Sequence, residues 1–239
     1  MIPKIIHYCW FGRGEMPELA QKCIASWHKF MPDWNYCLWN EDNFDVNSVP
    51  YTKEAYEAKK YAFVSDYVRL LVLNNEGGVY LDTDVEVFKS FDNLLNYQAF
   101  AGFEGSKHLP MGTCVMASEP NGIWVNEMLE LYRERHFKKQ DDSLDLTTNV
   151  QFITSKMVEH GFVQNGVEQD YKDLHVFPVE YFCPRQTTGE YFRTENTYCD
   201  HLGLGSWADN SKGWKSVVGK IVGNKTMIRL IKLKRKIFE

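Results

Sequence analysis

The stretch Gly77-Gly78-Val79-Tyr80-Leu81-Asp82-Thr83-Asp84-Val85-Glu86-Val87-Phe88 sets two glycines, a short apolar run, two aspartates one residue apart and a second apolar run in immediate succession. A glycine pair is a natural helix stop, and the run behind it reads as a short buried strand that passes through the aspartates and resumes over residues 85–88. Upstream, residues 51–75 are helical in pattern, with Ala62, Tyr67, Leu70, Leu71 and Leu73 on apolar faces. At the N-terminus, residues 4–10 read as a buried strand ending at the turn Phe11-Gly12-Arg13-Gly14, residues 16–30 as a helix and residues 35–39 as a second strand. Strand, helix, strand predicts a parallel α/β unit whose ligand crevice lies beyond the carboxyl ends of the strands. Further strands are predicted over 99–103 and 113–117, helices over 123–135 and 148–160, and a late strand over 198–202.

The chain has 239 residues, 44% of them hydrophobic, which suits one large domain or one domain with a small appendage. Mean hydropathy is −0.41, and no apolar run approaches the roughly 18 to 20 residues that a spanning helix needs. The opening Met1-Ile2-Pro3-Lys4 lacks the pattern of a cleavable signal, so the expected location is cytoplasmic. The six cysteines form no CxxC pair, which favours reduced, mostly buried thiols.

The net charge of −5 hides an asymmetry: residues 212–239 carry nine Lys or Arg and one acid, leaving −13 on residues 1–211. We therefore divide the chain into a body, 1–211, and a basic amphipathic tail, 212–239. The tail places Val217, Val218, Ile221, Val222, Ile228, Ile231 and Leu233 among its cations. Two readings stand: a helix lying on an anionic membrane surface, and a solvated helix packed on the acidic body. No recognition motif for nucleic acid accompanies the charge.

Two carboxylates at the end of a hydrophobic strand are costly to bring together unless a cation or a proton compensates them. Mn²⁺ or Mg²⁺ suits Asp82 and Asp84, since such ions use one or two carboxylates and complete their shells with phosphate and water. The bland alternative is two solvated turn residues. On the preceding helix, Asp66 and Arg69 stand at i and i+3 and share a face, where they form either a site for a polar ligand or an ordinary helix ion pair.

Taken together, Ile2-Pro3-Lys4-Ile5-Ile6-His7-Tyr8-Cys9-Trp10-Phe11-Gly12, Ser65-Asp66-x-x-Arg69 and Gly77-Gly78-Val79-Tyr80-Leu81-Asp82-Thr83-Asp84 resemble glycosyltransferase family 32, the sugar-binding-region Asp-x-Asp transferases. The layout is also similar to the glucosylating domain of large clostridial toxins. The match covers residues 2–12 and 62–88 well and 201–207 more weakly. The resemblance implies an α/β fold of GT-A type, a Rossmann-like nucleotide-sugar-binding domain with a mixed central sheet. It also implies metal-dependent transfer, with retention of configuration, from a nucleoside diphosphate sugar, usually a UDP-sugar.

Residue by residue, the resemblance implies that Trp10 stacks on the base and Asn43 contacts base or ribose. Core packing and a turn role are the respective alternatives. Asp66 and Arg69 match residues that hold donor sugar hydroxyls, and Tyr80 matches a nearby donor contact, with simple packing of a strand tyrosine as the alternative. Asp82 faces ribose and sugar with a metal link through water, and Asp84 is the direct metal ligand. His201 resembles the family's late histidine and is the third expected ligand, with Asp200 and Ser206 as the alternatives. Ser206 and Trp207 match the diphosphate side of the site, where an indole N–H donates to developing negative charge. Asn149 contacts sugar or acceptor, or starts a helix.

These assignments predict a hexosyltransferase whose acceptor is a saccharide or lipid-linked saccharide in surface polysaccharide synthesis. Asp66, Arg69 and Trp207 serve the chemistry, and the departing phosphate takes the acceptor proton. A phosphatase of haloacid dehalogenase type, with Asp82 as nucleophile, is a rival that leaves Trp10, Asp66 and Arg69 unexplained. A silent sugar-nucleotide or glycan-binding module is a second rival.

Overall fold

A computed structural model describes residues 1–105, 109–185 and 190–203. Ser206, Trp207 and the basic tail lie outside the described residues. The chain runs β1 (Ile5–Cys9), α1 (Glu18–Phe30), β2 (Asn35–Trp39), α2 (Pro50–Glu57), α3 (Tyr61–Glu76), β3 (Gly78–Leu81) and β4 (Val85–Val87). It continues through β5 (Ala99–Phe103), β6 (Met111–Ser118), α4 (Ile123–Glu130), α5 (Asn149–Glu159), β7 (Gln169–Tyr171), β8 (Leu174–Phe177) and β9 (Cys199–His201). No helix of the described residues is long and apolar enough to cross a membrane.

Seven strands form one sheet in the order β2-β1-β3-β6-β5-β8-β7. β1 pairs in parallel with both β2 and β3, so the chain leaves β1 to one side and returns on the other. That reversal opens a crevice at the carboxyl ends of β1 and β3. β6 runs antiparallel to β3 and β5, and β5 is parallel to β8, which makes the sheet mixed as expected.

Alternation along β3 divides the interior. Tyr80 faces the core under α2, α3, α4 and α5, while Val79 and Leu81 face the core that holds Trp27 of α1.

Several elements differ from the sequence expectation, among them the helix expected over 123–135, which ends at Glu130. The helix predicted over 51–75 is two helices, because Lys59 takes a left-handed φ of 56°. Lys60 then donates its N–H to Ala55 O at 2.9 Å, and Lys59 donates to Tyr56 O at 2.9 Å. This is a Schellman-type stop built on lysine, and without a glycine it leaves no sequence signal. β4 does not continue β3: it leaves the large sheet and pairs antiparallel with β9 in a separate ribbon. β7 and β8 extend the large sheet from a segment in which no strand was expected.

The glycine stop is sterically required. Gly78 has φ 101°, and a Cβ there would lie 2.7 Å from Ile5 O, so β3 approaches β1 as closely as backbone allows.

Candidate active site at the carboxyl ends of β1 and β3

Arg69 organises the site. It projects from α3 into the space above β3, where its side chain is 6% exposed. One Nη lies 3.1 Å from Asp66 Oδ1 and 3.3 Å from Asp82 Oδ1. The other donates to Thr113 O on β6 at 2.8 Å, and Nε donates to Ser65 O at 3.3 Å. Tyr80 lies beneath the guanidinium, 4.6 Å from ring centroid to Cζ, and donates its hydroxyl to Asp82 Oδ1 at 3.0 Å.

Asp66, Arg69, Tyr80 and Asp82, read separately from the sequence, are thus one bonded cluster. Burial pushes the Asp66 carboxyl up to about 7 although Arg69 beside it pulls the other way. Such a carboxyl can either accept a hydrogen bond from a polar ligand or donate one to it.

The second half of the site depends on the small ribbon. Asp82 N–H donates to Cys114 O at 2.9 Å, the last rung of β3 against β6, and Val85 N–H donates to Asp82 O at 3.0 Å as the chain turns away. α1 holds the departing strand: Trp27 Nε1 donates to Val85 O at 2.7 Å and Val87 N–H to Ser26 Oγ at 2.9 Å. In the ribbon His201 stands opposite Val85, and Leu202 N–H donates to Asp84 O at 3.0 Å.

This pairing carries His201 across more than a hundred residues of sequence to Asp84, with Nε2 3.3 Å from Oδ1. Ligand atoms of Asp82, Asp84 and His201 all lie within 4.8 Å of one another. Burial alone would lower the His201 pKa, but Cys114 and Asp84 beside it hold it well above the ordinary imidazole value. Asp200, the neighbouring alternative, faces away and accepts from Arg185 at 2.7 Å.

Two carboxylates and an imidazole fit a divalent cation of intermediate hardness, and three protein donors leave room for diphosphate oxygens.

Trp10 extends β1 by one bond, donating its backbone N–H to Trp39 O at 2.9 Å. Its ring is half-buried and lies in neither core, and its indole N–H donates to Gly14 O at 2.6 Å. Asn43 is exposed, and its amide serves its own turn: Nδ2 donates to Leu38 O at 2.8 Å, and Oδ1 accepts from Asn40 N–H at 2.9 Å. Asn149 is buried behind Asp66: its Oδ1 accepts from the Tyr132 hydroxyl at 2.8 Å, and its Nδ2 lies 3.5 Å from Asp66 O. It starts α5 one residue inside a capping box of Thr148 and Gln151.

Sequence reading missed Glu41 and Glu104. Glu41 accepts from Gly12 N–H at 2.6 Å and from the Tyr56 hydroxyl at 2.9 Å, tying the turn after β1 to the loop after β2. Burial works against its ionisation, but these bonds and Arg13 together hold its pKa below the usual value. Glu104 follows β5, and its carboxylate joins Cys114, Cys183 and His201 in a compact group. Neither acid sits in a recognisable spacing, since each is brought in by strand order.

Residues 17–101 match the family model described as a glycosyltransferase sugar-binding region containing a DXD motif. This chain carries the DXD sugar-binding region of those glycosyltransferases. Inositol phosphoceramide mannosyltransferase 3 of Schizosaccharomyces pombe is 37% identical over 134 residues, 53% of this chain and 33% of that protein. Mannosyl phosphorylinositol ceramide synthase CSH1 of Saccharomyces cerevisiae is 30% identical over 149 residues, 58% of this chain and 37% of that one. The chain thus spans about a third of the length of these curated relatives. Among solved structures, the PaToxG glycosyltransferase superposes with a TM-score of 0.53 at 20% identity, covering 67% of this chain and 70% of that chain. That likeness establishes the fold, which is of GT-A type with a mixed sheet. The matched region includes Asp82 and speaks against the phosphatase reading of that residue.

Proposed function

We propose that this protein is a retaining, metal-dependent glycosyltransferase that moves a hexosyl group from a nucleoside diphosphate sugar to a saccharide or lipid-linked acceptor. The observation that carries the reading is the meeting of Asp82, Asp84 and His201 beside the Asp66–Arg69 pair, at the strand ends where the crevice opens.

In this reading Asp84 and His201 would hold a divalent ion directly and Asp82 would link to it through water, with Mn²⁺ or Mg²⁺ as the ion and UDP as the nucleotide. When bound, the ion stabilises the negative charge that develops on the diphosphate as the anomeric bond breaks. Arg69, fixed by four polar protein partners, keeps Asp66 and Asp82 oriented without reorganisation during the reaction, and Asp66 holds the donor hydroxyls. Trp10, half-buried at the end of β1, offers its ring face to the base. Trp207 and Ser206 serve the diphosphate from outside the described residues. The acceptor hydroxyl loses its proton to the departing phosphate on the same face.

Two relatives whose names contain ceramide support a lipid-linked acceptor here. The basic tail, residues 212–239, would hold the enzyme on the cytoplasmic face of an anionic membrane.

The test is a screen of UDP-sugars and GDP-mannose with Mn²⁺ or Mg²⁺, read as donor turnover and product mass, for wild type and Asp84→Ala. Wild type is expected to turn over one donor only with metal, and the variant to lose turnover and metal-dependent UDP binding. Equal activity of Asp84→Ala in Mn²⁺ removes the metal site, and donor binding without turnover favours a binding module.

A further inference from the structure

Directly behind the carboxylates, Glu104, Cys114, Cys183 and His201 bring ligand atoms within 4.8 Å of one another. They arrive from four places: the end of β5, the middle of β6, the turn before Arg185 and β9. Cys114 and Cys183 are 2% and 5% exposed, and their sulfurs are 3.3 Å apart.

A tetrahedral Zn²⁺ site has Zn–S near ~2.3 Å and Zn–N or Zn–O near ~2.0–2.2 Å. Its donors are therefore about 3.3 to 3.8 Å from one another. The sulfurs need to open by only a few tenths of an ångström, and no donor has to cross a strand.

We propose that Cys114, Cys183, His201 and Glu104 form a buried site for a thiophilic divalent ion, Zn²⁺ by donor chemistry, which shares His201 with the Asp82–Asp84 centre. The composition selects the ion: two sulfurs, an imidazole and a carboxylate form a Cys₂His-type set that Mg²⁺ and Mn²⁺ do not favour. The Asp82–Asp84–His201 set has no sulfur and has the opposite preference. Binding at the thiol site breaks two S–H bonds and also takes from the His201 imidazolium the proton on its coordinating nitrogen, all released to solvent, while the metal keeps its oxidation state.

A shared imidazole makes the sites antagonistic. With Zn²⁺ drawing His201 toward the sulfurs, the carboxylate pair loses its third donor, so zinc inhibits an enzyme that runs on a harder ion. Only this last consequence rests on the proposed transferase activity. The site itself does not.

The test uses the full reduced chain. Co²⁺ is titrated and read by thiolate-to-metal charge-transfer absorption, and Zn²⁺ affinity is read by competition with a chromophoric chelator, with proton release followed in weak buffer. The expected result is one tight equivalent with a charge-transfer band and protons released on binding. Cys114→Ser and Cys183→Ser should lose the band and bind Zn²⁺ more than tenfold more weakly, while Cys37→Ser, outside the group, binds as wild type. Circular dichroism shows whether each variant is folded. If the cysteine variants unfold, Glu104→Gln carries the test, with an expected loss of about tenfold in affinity. A cobalt complex without the charge-transfer band, or a folded Cys183→Ser that binds Zn²⁺ as tightly as wild type, overturns the site. Because these readouts need no turnover, failure of the transferase reading leaves them intact. Zinc bound at the thiols without inhibition overturns the antagonism alone.

Discussion

Arg69 shows how much of this site is set by one side chain. An i, i+3 pair on an exposed helix is worth a few tenths of a kcal/mol. Here the same pair is buried and extended to Asp82 and Thr113 O, so removing the cation leaves a carboxylate without compensation. Arg69→Ala is therefore expected to destabilise the fold by about 3 kcal/mol or more, read as the shift in the urea midpoint. Arg69→Lys should recover only part of that, because an ammonium cannot reach all four acceptors that the guanidinium serves.

His7 sets a different residue-scale expectation. It is fully buried, with Nε2 2.9 Å from Gly77 O and Nδ1 accepting from Trp39 Nε1 at 3.0 Å. Both ring nitrogens are committed to the fold, and burial lowers the pKa to about 4 from an ordinary 6.5. Between those values the unfolded chain binds the proton and the folded chain does not. The contribution of His7 is therefore complete above 6.5 and is lost as pH falls toward 4, about 3 kcal/mol in all. Urea unfolding between pH 7 and 4 should show this slope, and His7→Gln should flatten it.

At the scale of elements, the break between α2 and α3 determines where Asp66 and Arg69 point, because α3 begins afresh after Lys59. A lysine at φ 56° pays the steric cost that glycine avoids. Lys59→Gly is therefore expected to stabilise the protein by roughly 0.5 to 1 kcal/mol despite the extra freedom of the unfolded chain. Thermal unfolding checks this, and a drop in the midpoint would show that the lysine side chain contributes more than its backbone costs. The same scale explains the Asp-x-Asp. Residues 82–84 are the crossing between two sheets, so Asp82 keeps a rung on β6 while Asp84 is delivered to β9.

For the whole molecule, the acidic body and basic tail predict a division of labour. Truncation before Lys212 should leave turnover on a short soluble acceptor nearly unchanged and sharply reduce it on a lipid-linked acceptor in anionic vesicles. Each Lys or Arg near such a surface contributes about 1 kcal/mol, and salt weakens the attraction by screening. Co-sedimentation of the full and truncated chains with neutral and anionic vesicles, at low and high salt, measures the effect. Identical sedimentation in every condition removes the membrane role, and a truncated chain that fails to fold assigns the tail to packing on the body.

The sequence by itself determined the α/β class, β1, β2, β3 and α1, the glycine stop, the i, i+3 spacing of Asp66 and Arg69 and the Asp82–Asp84 pair at a strand end. These signals are local: hydrophobic period, glycine conformation and short spacings act within a few residues. It also pointed to Tyr80 and His201, through a resemblance rather than through their own spacing. Tertiary structure alone decided that β4 leaves the large sheet, that β9 delivers His201 to Asp84, and that Arg69 bridges two aspartates while Asn43 spends its amide on its own turn. It alone brought Glu41 to the Gly12 turn and Glu104 to the two thiols. The physical reason is that strand pairing joins residues far apart in the chain through backbone hydrogen bonds, which every residue type except proline can make, so no composition or period marks the partners in advance.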